Sequence, residues 1–296
     1  MTNHEQFEQV ARGAGFIAAL DQSGGSTPGA LARYGIPHER YHDDDEMFEL
    51  MHEMRTRIIT NPSFSGDRIL ATILFEDTID RAIEGIGSAQ YVWTIKHVVP
   101  FLKVDKGLAK EADGARCMNP MPDLDALLAK GVRQGVFGTK MRSFIHLANP
   151  SGITAVLDQQ FEIARQIAAA GLVPILEPEV DITSPEKQAA EELLREGLAR
   201  RLDELAPTEN VILKLTLPEQ DDLYAPLMTH ANVLRVAALS GGYSHKEATE
   251  RLARNHGMIA SFSRGLTEGL VVTMSDEEFT RALERSIAEI YAASIT

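Results

Sequence analysis

Eight short apolar runs recur along the 296-residue chain, and this repetition constrains the fold more than any other feature of the sequence. Helical patterns, with apolar side chains at steps of three and four residues, lie between the runs. Runs that are apolar throughout are typical of parallel strands that are buried on both faces. The predicted strands are residues 15–21, 68–76, 98–107, 135–143, 172–180, 210–216, 233–242 and 258–264.

Eight strands that alternate with helices predict a TIM (β/α)8 barrel, an α/β fold that a chain of this length can form as one unit. No linker, repeat or low-complexity tract divides the chain, so we expect a single barrel domain over residues 1–296. An open doubly wound sheet is the main alternative. Its dinucleotide-binding form needs a G-x-G-x-x-G pattern after the first strand, and ALDQSGGST lacks that pattern.

The sequence also predicts where three helices begin. One helix is expected to start with Ser151 as its N-cap and to stop at Gly171. Another is expected to start with Ser184 as its N-cap and Pro185 in its first turn. The acidic run at residues 42–46 is expected to begin a third, because carboxylates interact favourably with the positive end of the helix dipole.

Composition and charge argue against several functional classes. The net charge is −14 and no basic run is interleaved with aromatic residues, so we expect no nucleic-acid partner. No stretch is long and apolar enough for a membrane span or a signal peptide, so we expect no membrane contact and a cytoplasmic location. The single Cys117 permits neither an internal disulfide nor a thiolate zinc cage, and the histidines are scattered, so we expect no metal. The oligomeric state is left open, including a homo-oligomer.

Most of the predicted strands end on charged or polar side chains. A barrel built only for stability would place few such groups there, because ionisable side chains are costly to bury. In this fold the C-terminal strand ends converge on one mouth, where active sites lie, so we predict an active site there. The residues at these ends are Asp21, Glu76, Lys103, Asp105, Lys106, Lys140, Arg142, Glu177, Glu179, Lys214, Ser240, Gly241, Gly242, Ser261 and Arg264.

Lys214 is the most unusual of these residues because it lies inside the apolar run VILKLTL. Lysine is rarely buried without a partner or a function. In a structural interpretation, Lys214 reaches the rim of the barrel or pairs with a carboxylate. In a functional interpretation, the apolar strand disfavours the ammonium form and leaves a neutral amine that can attack a carbonyl group. A second cation nearby, such as Lys140, would favour the neutral amine further.

An imine between Lys214 and a ketone would act as an electron sink for cleavage of a carbon–carbon bond, and this chemistry needs an acid and a base. Glu177 and Glu179 are two residues apart on an extended segment and therefore point the same way, which fits these roles. Alternatives stay open here, since Glu177 could serve only as a cap or an ion-pair partner. Asp21 could likewise be only a turn residue at the end of a strand.

Two glycine-containing turns suit phosphate groups, because backbone N–H groups and hydroxyls can hold oxyanions. With two further cations on the same rim, they predict a substrate that carries a phosphate at both ends. The residues are Ser240, Gly241, Gly242 and Arg264 after the seventh and eighth strands, Ser23 and Ser26 after the first strand, and Lys103 and Arg142 on the rim.

These segments together resemble the class I fructose-bisphosphate aldolases, particularly their shorter bacterial members. The segments FIAALDQSGGST, FLKVDKG, GTKMRS, PILEPEV, LKLT, LSGGYS and SFSRGL occur in the family's order and cover nearly the whole chain. The resemblance implies a TIM barrel that reversibly cleaves fructose 1,6-bisphosphate into dihydroxyacetone phosphate and glyceraldehyde 3-phosphate in glycolysis and gluconeogenesis. It also implies a sugar bisphosphate as the small-molecule partner and a reaction that needs neither a metal nor another cofactor.

The resemblance implies roles for individual residues. Lys214 would be the Schiff-base lysine, Glu177 the acid and base of the carbinolamine and imine steps, and Asp21 the acceptor of the hydroxyl proton at the cleaved bond. Lys140 would tune these groups electrostatically, and Arg142 would support the site. The phosphates would be held by Ser240, Gly241, Gly242 and Arg264 on one side and by Ser23, Ser26 and Lys103 on the other.

Two features depart from the family pattern. Animal aldolases carry a C-terminal tail whose tyrosine assists proton exchange at the enamine. Here we expect Tyr291 to pack within a final amphipathic helix, which leaves enamine protonation unassigned. The segment TPGALARYG carries small residues where relatives often carry basic ones, so we expect the second phosphate to be held less tightly or by other groups.

The sequence disfavours three other functions. Another imine-forming barrel, such as a transaldolase-like or deoxyribose-phosphate aldolase-like enzyme, is disfavoured by the two phosphate loops. A metal-dependent aldolase is disfavoured by the scattered histidines. A sugar-phosphate binder that has lost turnover is disfavoured because Lys214, Glu177, Asp21 and Lys140 all occur together, and a binder gains nothing from a buried amine beside acids.

Overall fold

The computed structural model describes residues 4–296 and shows the predicted alternation of strands and helices. The fold is a TIM barrel of eight parallel strands, and each strand overlaps one predicted run. The prediction of the fold class is therefore confirmed. The strands are β1 (Phe16–Leu20), β2 (Ile69–Leu74), β3 (Val99–Lys103), β4 (Gly138–Ile145), β5 (Val173–Val180), β6 (Val211–Thr216), β7 (Val233–Leu239) and β8 (Ile259–Ala260).

The strands follow one another around the barrel in chain order, from β1 to β8. The last pair is β7 and β8, in which Ala237 lies opposite Ile259. Just beyond β8, the carbonyl of Phe262 accepts a hydrogen bond of 3.3 Å from the amide of Ala19 in β1. This contact brings the eighth strand back to the first and nearly closes the barrel.

Helices surround the barrel and cover its outer face. None of the helices within residues 4–296 combines the length and the apolar character needed to cross a lipid bilayer. The α-helices are His4–Arg12, Thr27–Arg33, Asp44–Thr60, Glu76–Ile79, Ser88–Thr94, Leu124–Arg133, Pro150–Ala169, Lys187–Leu202, Ala225–Met228, His245–Leu252, Arg264–Thr267 and Asp276–Ala293, and His38–Arg40 forms a 3-10 helix.

Among residues 4–296, three two-residue strands lie outside the barrel. Ala82–Ile83 and Ile86–Gly87 pair with each other as a small antiparallel hairpin. Ala115–Arg116 pairs antiparallel with the C-terminal end of β4. That last pairing matters for the site, because it fastens a connecting segment to the mouth of the barrel.

The inside of the barrel changes character along the strands. Successive residues on a strand point to opposite faces, so residues two apart share a face. On β6 this places the apolar Ile212 below Lys214, and on β5 it places Ile175 below Glu177. The N-terminal half of the interior is thus an apolar core, and ionisable groups occupy the C-terminal half.

Two of the predicted helix starts were wrong. Ser151 lies inside the helix Pro150–Ala169, whose N-cap is Asn149, and the helix predicted to begin at Ser184 begins at Lys187. The Asn149 side chain accepts hydrogen bonds from two amides of the first turn, of 2.9 and 3.4 Å. The proline that follows it can occupy the first helical position because it has no N–H to leave unpaired.

Other helix predictions are confirmed. The acidic run begins the helix Asp44–Thr60, where the side chain of Asp43 accepts a hydrogen bond of 2.9 Å from the amide of Glu46. The final helix, Asp276–Ala293, buries its predicted apolar face against the core. Tyr291 is partly buried and packs against that core, as expected.

Candidate active site

The C-terminal ends of the strands enclose a cavity of about 690 Å³. Of the thirteen residues predicted to act in catalysis or phosphate binding, only Gly242 lies outside its lining, and a Cβ atom there would come within 3.5 Å of the Arg264 guanidinium. The predicted residues that line the cavity are Asp21, Ser23, Ser26, Lys103, Lys140, Arg142, Glu177, Glu179, Lys214, Ser240, Gly241 and Arg264.

Lys214 is buried at the bottom of the cavity, with only 4% of the residue exposed. Its Nζ atom lies 2.9 Å from Oε1 of Glu177, and Oε2 of the same carboxylate lies 3.0 Å from Nζ of Lys140. Burial raises the pKa of Glu177, but the two lysines outweigh burial and lower that pKa overall. Glu177 is therefore an ionised bridge between two buried amines.

Asp21 completes this buried group from the end of β1. Its Oδ2 atom lies 2.5 Å from Nζ of Lys140. Burial would raise the pKa of Asp21, but Lys140 and Lys214 overcome that effect and lower the pKa to about 2. The two carboxylates that flank Lys140 likewise overcome its burial and raise the pKa of Lys140, so it stays a cation.

Glu179 lies on the same face of β5 as Glu177 and also lines the cavity, as the sequence predicts. Its Oε2 atom is 2.5 Å from Nε of Arg142. Burial raises the pKa of Glu179, and the attraction of Arg142 does not fully offset it. Neighbouring carboxyl groups on one strand thus have pKa values displaced in opposite directions, a pattern that is typical of acid–base sites.

Lys103 lies at the end of β3 and forms an ion pair with Asp105. Its Nζ atom lies 2.7 Å from Oδ1 of Asp105 and 2.8 Å from the carbonyl of the same residue. The other carboxylate oxygen of Asp105 accepts a hydrogen bond of 3.3 Å from the amide of Arg142. Asp105 therefore ties the segment after β3 to β4.

The two glycine-containing loops differ in construction. Gly241 and Gly242 have φ angles of +60° and +133°, and a Cβ atom on Gly241 would come within 2.6 Å of Ile182, so this loop depends on glycine. In the loop after β1, the hydroxyl of Ser26 accepts a hydrogen bond of 3.1 Å from the amide of Ser23. Part of that loop's capacity to bind an anion is therefore already used.

Two arginines that line the cavity were missed in the sequence. Arg33 ends the helix Thr27–Arg33, so this helix does bring one cation to the mouth despite its small residues. Arg116 lies on the short strand beside β4, in a segment outside the predicted strands. The Asp113-Gly114 dipeptide, a common hairpin turn, is the signal that could have revealed this strand.

A buried arginine outside the cavity was also missed. Arg55 is fully buried in the helix Asp44–Thr60 and donates hydrogen bonds of 2.5 Å to the carbonyl of Gln22 and 2.6 Å to the hydroxyl of Thr78. Burial lowers the pKa of Arg55 to about 10. The Gln22 side chain in turn donates a hydrogen bond of 2.7 Å to Ser263, so this network joins the loops after β1 and β8.

Potential metal ligands are not grouped within residues 4–296. No cluster of three or more histidine, cysteine, aspartate or glutamate side chains in that range is arranged to hold a metal ion. Cys117 is a half-buried free thiol.

The fold is similar to that of a solved aldolase. A crystal structure of fructose-bisphosphate aldolase from Plasmodium falciparum matches with a TM-score of 0.75 and 18% sequence identity, over 98% of this chain and 92% of that chain. At this identity the likeness shows the fold alone. A comparison with models of protein families gives no match.

The fold and the two buried lysines that share Glu177 define a class of protein, the TIM barrels that hold buried lysines at the mouth of the barrel. Sequence relatives specify the family. The chain is 62% identical to a "Fructose-bisphosphate aldolase class 1" from Synechocystis over 99% of this chain and 98% of the relative. It is 52% identical to a protein of the same name from Clostridium acetobutylicum, over 99% of this chain and 100% of the relative. The chain belongs to the class 1 fructose-bisphosphate aldolases.

Proposed function

We propose that this chain reversibly cleaves fructose 1,6-bisphosphate into dihydroxyacetone phosphate and glyceraldehyde 3-phosphate through an imine on Lys214, without a metal or another cofactor. The observation that carries the proposal is the buried series of contacts from Lys214 through Glu177 and Lys140 to Asp21. An amine and two carboxylates in contact at the bottom of one cavity support this chemistry. The name shared by the close relatives supports the substrate.

Imine formation falls to Lys214 and Glu177. The 2.9 Å contact lets Glu177 take a proton from the ammonium group, which frees the amine to attack the substrate ketone. The same carboxyl group then returns a proton to the carbinolamine hydroxyl, so that water can leave. The cation at Lys140 stays in place throughout and stabilises the carboxylate.

Carbon–carbon cleavage falls to Asp21, which accepts the proton of the hydroxyl at the cleaved bond. Its lowered pKa makes it a weak base before the reaction. Cleavage converts the positively charged protonated imine into a neutral enamine, which removes one of the charges that hold this pKa down. The basicity of Asp21 therefore rises as the hydroxyl loses its proton.

The positions of the strands support a binding site after β7 for the phosphate that lies next to the reacting ketone. Lys214 lies opposite Ala237 in the pairing of β6 with β7, so the loop that follows β7 is beside the imine. The phosphate on the neighbouring carbon therefore binds the backbone of Ser240 and Gly241, with Arg264 as its charge partner. Gly242 lies outside the cavity lining, and its φ angle of +133° allows that loop to turn.

The second phosphate of the substrate is four carbons away from the imine carbon, so it reaches a different part of the rim. Ser23 and Ser26 in the loop after β1, together with Lys103 at the end of β3, lie on that part. The Lys103 charge is matched by Asp105, so this side needs a further cation, which Arg33 helps to provide.

The proposal is tested by trapping the imine. Borohydride added with dihydroxyacetone phosphate should leave a reduced adduct on Lys214, which peptide mass analysis can locate. Lys214→Met should abolish the adduct and lower kcat for cleavage by at least about 10⁴-fold, because the covalent intermediate is lost. EDTA should leave cleavage unchanged.

Lys106→Met is the matched control for this test. Lys106 lies near the rim with 48% of its side chain exposed and pairs with Glu76, so its replacement should leave the adduct intact. An adduct on another lysine, or no adduct with the wild-type chain, would overturn the proposed mechanism.

A further inference from the structure

An antiparallel arm follows β3 and reaches the mouth of the barrel. This rim arm comprises residues 108–118, and it begins and ends at the paired residues Leu108 and Met118. It turns at Asp113 and Gly114, whose φ angles are +50° and +68°. Two successive positive φ angles at an Asp-Gly pair are typical of a tight hairpin turn. The rim arm is thus a defined element and not an irregular loop.

The rim arm is fixed to β4 and to the segment that follows it. Arg116 lies opposite Phe144 in the antiparallel pairing with β4. The carbonyl of Gly114 accepts hydrogen bonds of 2.8 Å and 3.0 Å from the amides of His146 and Leu147. Because these contacts hold both the tip and the strand of the arm, Arg116 has a fixed place on the rim.

The guanidinium group of Arg116 is oriented by backbone carbonyls and not by an acid. Nε donates a hydrogen bond of 2.8 Å to the carbonyl of Ala109, and Nη2 donates one of 3.3 Å to the carbonyl of Leu108. Within residues 4–296, Arg116 forms no ion pair with a carboxylate. Its positive charge is therefore uncompensated and half-buried at the edge of the cavity.

The charges that line the cavity fall into two groups. Lys103, Lys140, Arg142 and Lys214 each contact a carboxylate. Across the lining, seven cations face four carboxylates, which leaves a formal excess of three positive charges in a chain whose net charge is −14. The excess belongs to the three arginines without an acidic partner among the described residues, Arg33, Arg116 and Arg264.

We infer that Arg116 contacts the second phosphate of the substrate, the one that leaves with the aldehyde product, and thereby selects bisphosphates over ketose 1-phosphates. The inference rests on the proposed function. Arg264 belongs to the phosphate site beside β7, on the other side of the mouth. Lys103 brings no free charge to the side of β3, because Asp105 neutralises it. Arg33 provides one free cation on that part of the rim and the rim arm provides a second, Arg116, whose guanidinium group suits phosphate oxygens.

Two substrates that differ only in the second phosphate test this inference. We expect Arg116→Met to lower kcat/KM for fructose 1,6-bisphosphate by about 10- to 100-fold, the loss of one or two charged hydrogen bonds. Cleavage of fructose 1-phosphate should stay within about twofold of the wild-type rate, because that substrate has no group to reach Arg116. Arg116→Lys should give an intermediate loss for the bisphosphate.

The control is Arg200→Met, which removes one exposed arginine from the helix Lys187–Leu202 and should leave both substrates unchanged. Borohydride trapping with dihydroxyacetone phosphate, which lacks the second phosphate, reports whether the Arg116 variants keep a folded site. Equal losses for both substrates, or an unchanged bisphosphate rate in a variant that still traps, would overturn the role of Arg116. Failure of the wild-type chain to trap would instead overturn the proposed function.

Discussion

Lys214 combines the two interpretations that the sequence leaves open. It does pair with a carboxylate, as the structural interpretation requires, because Glu177 lies 2.9 Å away. That carboxylate also lines a cavity and bridges to a second buried amine, which an isolated structural ion pair would not need. Pairing lowers the cost of burying these charges, and in the proposed mechanism the same contact carries the proton transfers that imine chemistry requires.

Asp21 gives a prediction for the dependence of stability on pH. Its pKa is lowered from 3.8 to about 2 in the folded protein, so the ionised group stabilises the fold above about pH 4. This contribution, of about 2 kcal/mol, is lost as the pH falls from about 4 through 2. Urea unfolding at about pH 5 and about pH 2.5 should therefore show a larger loss of unfolding free energy in the wild type than in Asp21→Asn.

Glu179 should change the unfolding free energy with pH in the direction opposite to Asp21. Because its pKa is raised in the folded protein, its ionised form is disfavoured there, and its contribution to stability falls as the pH rises through that pKa. Relative to Glu179→Gln, the wild type should lose stability with rising pH. If both variants shifted the pH dependence in the same direction, the opposite displacements of the two carboxyl groups would be refuted.

At the scale of elements, the side chains of each barrel strand point alternately into and out of the barrel, and this alternation brings the site residues together at the mouth. On β3, β5 and β6, the residue two positions before the first active-site group is apolar and faces the same interior, as with Phe101 before Lys103 and Ile212 before Lys214. The apolar core below therefore fixes the ionisable layer above it. The rim arm works differently, because hydrogen bonds to β4 and a tight turn hold it.

The turn of the rim arm gives a prediction about stability. Gly114 has φ +68°, and a Cβ atom there would lie 2.6 Å from Cβ of Leu147. Gly114→Ala should therefore combine the strain of a positive φ, about 1 kcal/mol, with a steric clash of about 1 to 3 kcal/mol. Urea unfolding should show this loss, and kcat/KM for the bisphosphate should fall as the arm shifts.

Gly85 is the matched control for this clash. It has φ +79° and open space around the position of a Cβ atom, so Gly85→Ala should cost only the backbone strain. Equal losses of unfolding free energy in the two variants would show that the rim arm is not tightly docked on the segment after β4.

At the scale of the whole molecule, the net charge of the chain and the charge of the cavity lining have opposite signs. The chain carries −14 overall, whereas the cavity lining carries a formal excess of three positive charges. The positive mouth attracts an anionic substrate over the short range that solvent ions allow, while the rest of the surface repels it. Substrate capture therefore depends on a local field and not on the net charge.

This arrangement predicts a salt dependence. Raising NaCl from about 20 mM to about 300 mM should increase KM for fructose 1,6-bisphosphate roughly tenfold, because the attraction of the mouth is screened. The value of kcat should change by less than about twofold, since the buried lysines and carboxylates are shielded from salt. Fructose 1-phosphate, with one phosphate, should show a weaker dependence, and an identical dependence for both substrates would contradict this account.

Much of the architecture could be predicted from local patterns. The structure confirms the eight strands, their polar ends and the fold class. These features could be predicted because the burial of a strand and the position of its end depend on residues that are close together in the sequence. The residue roles, the domain limits at residues 1 and 296 and the cytoplasmic location stay predictions. Two helix starts were misplaced, since several polar residues near each start could serve as the cap.

The pairing of the charges was not visible in the sequence, because it joins residues far apart in the chain. Lys140 contacts both Asp21 and Glu177, and no spacing in the sequence shows that Lys103 is neutralised while Arg116 is not. Periodicity determines which side chains face the barrel interior. Only the closed barrel and its docked arm bring them within bonding distance, and those distances determine which cations stay free for phosphate.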